Sequence, residues 1–348
     1  MIKETEGNLL DSSAEALVNT VNTVGVAGKG IALQFRQAYP GNFRAYERAA
    51  KKGDVVPGRM FVWSTGQIQS PHYIINFPTK RHWRGNSRLG DIASGLQDLV
   101  RVIAEYQIKS IALPPLGCGN GGLNWSDVHP LIVASLKDLD VEVLLFPPNG
   151  APEAENMPIR TERPKMTLGR AALLLLLKQY RALDWYRLSA LEVQKLAYFL
   201  QESGEALRLK YVRAHYGPYA ENLNHVLIAM EGHYTVGYGD RSREPHIGLV
   251  EGADERASTF LRNHPETLNR LARVSLLVDD WETPYGLELL ATAHWALTHA
   301  GLAEGSRRKI YDYVASWTPR KARLFKESQI DRAIDQLVRH EFAPAVEE

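Results

Sequence analysis

The chain has 348 residues, enough for two domains with separate cores, and its 45% hydrophobic and 23% charged content is that of a globular protein. Formal charge is +1, with 15 Lys+Arg against 13 Asp+Glu in residues 1–150 and 26 against 27 beyond, so any contact with nucleic acid must come from a local patch. The lone Cys118 excludes an internal disulfide and a cysteine-based zinc cluster; with no signal-like N-terminus and no apolar block longer than 171–177, a cytoplasmic protein without a membrane span is expected.

Residues 1–150 alternate between strand and helix patterns. The spacing predicts strands over 16–21, 60–64, 73–77, 111–113 and 141–146, and helices over 30–39, 89–106 and 125–136. Val/Ile/Leu-rich strands in such alternation predict an α/β domain whose mixed, largely parallel sheet lies between helices. From 147 to 164 the sequence is punctuated by prolines and poor in apolar residues, which reads as a linker over 151–164. Beyond it a mainly α-helical domain is expected over 165–348, with helices at 168–183, 190–201, 220–230, 256–278, 284–300, 309–317 and 330–340. Only 210–216 and 234–238 look extended.

Two strand-to-helix turns carry the chemistry. The first leaves the strand at Asn19 and Asn22 and runs through Gly25, Gly28 and Gly30 before helical spacing resumes at Ile31. The second is Pro-Pro-Leu-Gly117-Cys118-Gly119-Asn120-Gly121-Gly122-Leu, between a short strand and a helix. Glycine loops at helix N-termini present bare N–H groups and the positive end of a helix dipole, which suits a diphosphate. Either loop alone is equally well a plain turn; together, at the carboxyl edge of one sheet, they suit an extended anionic ligand held from both sides.

Near matches to other motifs fail on spacing. Gly117 to Gly122 fits G-x-G-x-x-G, but no carboxylate ends the strand that follows, since Asp138 and Asp140 precede it. At the first loop Lys29 is followed by Gly30, with no Ser or Thr to hold magnesium. The eleven histidines show no metal-ligand spacing. The run 76–86 gathers Lys80, Arg81, His82 and Arg84 around Trp83; such a run either clasps and stacks single-stranded nucleic acid or is a solvated loop whose tryptophan fills a crevice.

Asn19-Thr-Val-Asn22, Gly28-Lys-Gly-Ile31 and Gly117-Cys-Gly119 in this order resemble the ADP-ribose-binding macrodomain family over residues 1–150. Thr79-Lys80 and Leu123-Asn-Trp125 are closer to its DarG branch of antitoxins, which remove ADP-ribose from DNA, and to the related human terminal ADP-ribose glycohydrolase. The resemblance implies a DNA ADP-ribosyl glycohydrolase with Lys80 catalytic, acting as a nucleophile or as a proton donor, and with no metal or cofactor. It implies substrate contacts from Asn8, Leu9, Thr20, Val21, Asn22, Gly28, Gly30, Ile31 and Thr79, and from Gly117, Cys118, Gly119, Asn120 and Gly121. DNA contacts are then expected from Arg81, Trp83 and Arg84, with ADP-ribosylated single-stranded DNA as substrate and ADP-ribose as product. A catalytically silent ADP-ribose reader is the alternative.

Two departures stand out. Gly7-Asn8-Leu9 replaces the common Gly-Asp-Ile, so Asn8 or backbone groups would meet the adenine, and Gly121 stands where the human relative has an aspartate that aids hydrolysis. In the second half, 192–201 followed by Tyr216-Gly-Pro-Tyr219 is similar to Panacea-type antitoxin domains, which implies binding to the toxin DarT. Tyr198, Tyr216 and Tyr219 are the candidate contacts, although a helical domain also buries tyrosines to fill its core.

Overall fold

Of the strands in the first half of the chain, those at the centre of the sheet are apolar on both faces because both faces are covered. Six strands form this sheet: β1 (Ile2–Glu4), β2 (Ala16–Asn22), β3 (Phe61–Ser64), β4 (Tyr73–Lys80), β5 (Ser110–Leu113) and β6 (Glu142–Leu145), in the order β1-β6-β5-β2-β4-β3. Every neighbouring pair is parallel except β3 and β4. Four helices flank it: α1 (Gly30–Ala38), α2 (Pro40–Lys52), α3 (Leu89–Glu105) and α4 (Trp125–Leu136). Along β2, Ala16 and Val18 join the core under α3 and α4, while Leu17 between them packs with Phe35 and Ala38 of α1. Gly95 of α3 has no room for a side chain, since a Cβ there would lie 2.3 Å from the Phe77 ring.

The computed structural model describes residues 1–148, 157–180, 188–238, 246–302 and 306–345, and divides into two units, Met1–Glu162 and a second beginning at Arg163. Of the expected linker, 151–156 lie outside the described residues. Met157 and Arg160 pack on the first unit, Met157 within the Leu9–Phe35 cluster and Arg160 through its N–H to the Gln37 carbonyl at 2.9 Å. In the second unit α5 (Leu168–Tyr180) and α6 (Ala190–Glu202) are buried nearly all round. Of the helix expected over 168–183, residues 181–183 lie outside the described residues.

The remaining second-unit elements are β7 (Leu188–Ser189), the hairpin β8 (Tyr211–Ala214) and β9 (Gly217–Ala220), α7 (Glu221–Met230), β10 (Thr235–Val236) and β11 (His246–Leu249). Then come α8 (Ala253–Leu261), α9 (Pro265–Val278), α10 (Pro284–Thr298), α11 (Arg307–Trp317), α12 (Pro319–Leu324) and α13 (Glu327–Arg339). The single helix expected over 256–278 is two, because His264 precedes Pro265 and adopts φ −124°, ψ 68°. No described helix is long and apolar enough to cross a membrane.

A buried charge cluster ties α6, α10, α12 and the hairpin together. Lys321 donates to the Glu288 carboxylate and to Thr292, and Arg320 donates to the same carboxylate oxygen at 2.7 Å. Lys195 donates to the Pro218 carbonyl at 2.6 Å; its burial, and then the nearby Lys321, pull its pKa down to about 7. Glu288→Ala would leave the Lys321 ammonium buried without its counter-charge, so it should cost about 3–5 kcal/mol in a denaturant titration.

Candidate functional site

The carboxyl ends of β5, β2 and β4 lie side by side, and each leads into a segment expected to carry function. β4 runs three residues beyond the expected end at Phe77. Pro78 is tolerated because β3 stops opposite Asn76, so that edge asks for no N–H at 78. After a register shift at Val21/Asn22, Asn22 stands opposite Lys80, and the Thr23 N–H donates to the Lys80 carbonyl at 3.0 Å. Thr79 and Lys80 therefore lie on the strand.

Asn22 builds the first loop. Its side-chain oxygen accepts the N–H groups of Val24 and Val26 at 3.1 and 3.2 Å, and its amide donates to the Val26 carbonyl at 2.6 Å. Tyr46 of α2 donates its hydroxyl to the Asn22 carbonyl at 2.6 Å; burial raises the pKa of that phenol and keeps the donor protonated. Gly25 and Gly30 adopt φ of +79° and +58°. Among the described residues no acceptor within the chain takes the N–H of Ala27 or Gly28, and those of Gly30 and Ile31 open the first turn of α1, where a helix has no acceptor of its own. Thr20 and Val21 are β2 residues, half-buried and buried. Leu9 and Phe35 are buried, and with half-buried Ile31 they form an apolar floor. Asn8 is engaged locally, accepting the Leu10 N–H at 3.0 Å and donating to Asp11 at 2.9 Å.

The second loop turns on itself through Leu123 N–H to Gly117 O at 3.1 Å and Gly122 N–H to Gly119 O at 3.0 Å. Among the described residues no acceptor within the chain takes the N–H groups of Gly119, Asn120 or Gly121. The Asn120 carbonyl accepts from the Lys80 ammonium, so the structure brings Lys80 and the second loop together. Lys80 is half-buried, and desolvation lowers its pKa from 10.5. The Cys118 thiol, beside the Leu116 carbonyl, is pushed up to about 11 by burial and then by Asp127, so it stays neutral. Two sets of open N–H groups with one amine beside them can hold an anion and act on a bond next to it.

In the basic run the three expected DNA contacts part company. Arg81 donates to Asp91 at 3.0 Å, an exposed pair at its own end. Trp83 is exposed, stacks on His82 with ring centroids 5.5 Å apart, and carries the Arg84 guanidinium 4.4 Å above its ring. Sequence reasoning missed Tyr46, Asp91 and Ser87, whose N–H donates to the Gly121 carbonyl at 2.9 Å. Pro40 at the helix start and Gly53 at its end were a usable signal for α2, and so for Tyr46. Asn19, read from the sequence as a loop-mouth amide, instead sits in a buried network with Asn76 and Asn42, donating to Asn76 Oδ1 at 2.9 Å.

Comparison with known proteins adds a family model and close relatives. The Macro domain model matches residues 18–132. A "DNA ADP-ribosyl glycohydrolase" of Thermus aquaticus is 47% identical over 341 residues, 97% of this chain and 93% of the relative. A "DNA ADP-ribosyl transferase-DNA ADP-ribosyl glycohydrolase fusion protein" of Thermosipho africanus is 34% identical, over 41% of each chain. The solved "Macrodomain of Mycobacterium tuberculosis DarG" is 56% identical with a TM-score of 0.42, covering 43% of this chain and 99% of that one.

Tyr46→Phe tests the first loop. It leaves the Asn22 carbonyl without its hydroxyl donor, and should lower stability by about 1–2 kcal/mol and weaken ADP-ribose binding in calorimetry, with β2 and β4 intact by circular dichroism.

Proposed function

The chain belongs to the DNA ADP-ribosyl glycohydrolase family, and from that premise we propose that it frees thymidine in single-stranded DNA of ADP-ribose, reversing a DarT-type toxin that its second unit also binds. Membership makes it a glycohydrolase. The observation that carries the finer reading is Lys80, a half-buried amine at the carboxyl end of β4 against a loop with three consecutive open N–H groups. The two loops hold the diphosphate through N–H groups and the α1 dipole, with no metal needed. The distal ribose then lies by the second loop, where Lys80 meets the bond to the base.

Burial lowers the Lys80 pKa and so enlarges the share of neutral amine. This supports the covalent route: the amine adds to the anomeric carbon as the electron pair of the sugar–base bond leaves with the base, the ring C–O bond then breaks to give an open-chain protonated imine, and water adds to that imine to release ADP-ribose and restore the lysine. Asn22 supports the site by shaping the first loop, and Asn8 by closing the turn before the apolar floor. Trp83 and Arg84, exposed and stacked, suit a base and a phosphate of the flanking strand, while Arg81 steadies that loop through Asp91.

The toxin partnership draws support from the printed name of the Thermosipho africanus relative, which joins a transferase and a glycohydrolase in one chain. Of the three candidate tyrosines, Tyr198 is fully buried and donates its hydroxyl to His294 Nδ1 at 2.7 Å, leaving His294 Nε2 to donate to the Phe342 carbonyl. Burial and then His299 lower the His294 pKa to about 3, so the ring stays neutral and this pairing holds at physiological pH. Tyr219 is half-buried, its hydroxyl accepting from Asn224 at 2.7 Å. Tyr216 is 49% exposed at the tip of the β8–β9 hairpin, above the Arg320 guanidinium, and is the contact best placed for a partner.

Incubation with a thymidine-ADP-ribosylated oligonucleotide tests the activity: the unmodified protein should remove the group and Lys80→Ala should not, although it still binds ADP-ribose. Borohydride should trap a protein–sugar adduct, and the rate should climb with pH below 10.5; a rate that falls over that range assigns the ammonium as an acid instead. Retained binding with an untouched oligonucleotide would make the chain a reader of ADP-ribose. For the second unit, Tyr216→Ala should abolish co-purification with the toxin at an unchanged melting temperature, whereas Tyr198→Phe should lower the melting temperature by several degrees.

A further inference from the structure

In the stretch 81–90 every side chain is exposed except one. Ser87 turns inward, 7% exposed, and its N–H donates to the Gly121 carbonyl at 2.9 Å. Its hydroxyl oxygen is buried and has no hydrogen-bond partner among the described residues. The second glycine loop wraps that hydroxyl closely: a Cβ on Gly121 would lie 2.4 Å from Ser87 Oγ, and one on Gly117 3.1 Å from it. The same loop offers the open N–H groups of Gly119, Asn120 and Gly121 and gives its Asn120 carbonyl to Lys80.

A buried hydroxyl without a partner is a net cost to the folded chain unless something arrives to accept from it. Three neighbouring N–H groups in the same condition give that arrival a chemical character: a ligand rich in oxygen and negatively charged. The absent Cβ atoms at Gly117 and Gly121 make the room that the hydroxyl occupies.

We infer that Ser87 is a binding residue of the second glycine loop: its N–H fixes the Gly121 carbonyl, and its hydroxyl donates to an anionic oxygen of the ADP-ribose group that the loop holds. This rests on the ADP-ribose reading proposed above. Ser87 also joins the stretch bearing Trp83 and Arg84 to the loop bearing the carbonyl partner of Lys80, so a strand of DNA lying on the former bears on the latter.

The sign of the stability change sets this role apart from a structural one. Ser87→Ala removes a buried polar group that has no partner, so the ligand-free protein should melt at the same temperature or higher. ADP-ribose affinity by calorimetry should nevertheless fall about tenfold, as when a hydrogen bond to a charged oxygen is lost. Ser87→Cys, close in shape but a weak donor, should lose affinity to a similar degree. Affinity within twofold of the unmodified protein in both variants overturns the inference, and so does a lowered melting temperature in both, which would make Ser87 a packing residue. Failure of the unmodified protein to bind ADP-ribose overturns the ADP-ribose reading itself, and this inference with it.

Discussion

One amide organises the entrance to the site. Asn22 closes three hydrogen bonds within its own loop and receives the Tyr46 hydroxyl from a helix on the flank of the sheet. A loop that turned without it would have to satisfy the Val26 carbonyl with one of the N–H groups that follow. Because Asn22 takes that demand on itself, Ala27 and Gly28 remain open and α1 starts with its dipole uncovered. Binding capacity here is thus a by-product of where the chain places its internal hydrogen bonds.

The second unit works under the opposite constraint. It buries charge where the first unit leaves backbone groups open, and Lys195, Lys321 and Glu288 all lie in its interior. Gly217, at φ +91°, brings the hairpin close enough for Lys195 to reach the Pro218 carbonyl, and a Cβ there would stand 3.1 Å from Thr292 Oγ1. The outer edge of β9 is closed by Gln194, which both donates to the Ala220 carbonyl and accepts the Ala220 N–H. The hairpin tip is therefore held rigidly by α6 while Tyr216 projects from it.

Glycine, alternation and charge made much of this legible in the sequence. The strand-to-helix turns and the covered sheet follow from local patterns, which tertiary packing then reinforces, whereas the extension of β4 through Lys80 rests on pairing with distant Asn22. What stayed hidden depends on distant partners. Asn22 looked like a ligand amide because nothing nearby in sequence shows that Tyr46 and the Val26 carbonyl claim it. Ser87 is an unremarkable serine in a polar run until the fold sets it against Gly121. Tyr198 and Tyr216 are alike as letters; only packing separates the core residue from the exposed one. The helix break before Pro265 was readable, and was lost to a strong apolar period on either side.

Gly121 also limits what this chain can become. A side chain there would start 2.2 Å from the Gly117 carbonyl oxygen and 2.4 Å from Ser87 Oγ, so no carboxylate can be placed at that point without moving the backbone at Gly117. A variant that gains an acid at 121 therefore has to open the second loop around Gly117 first.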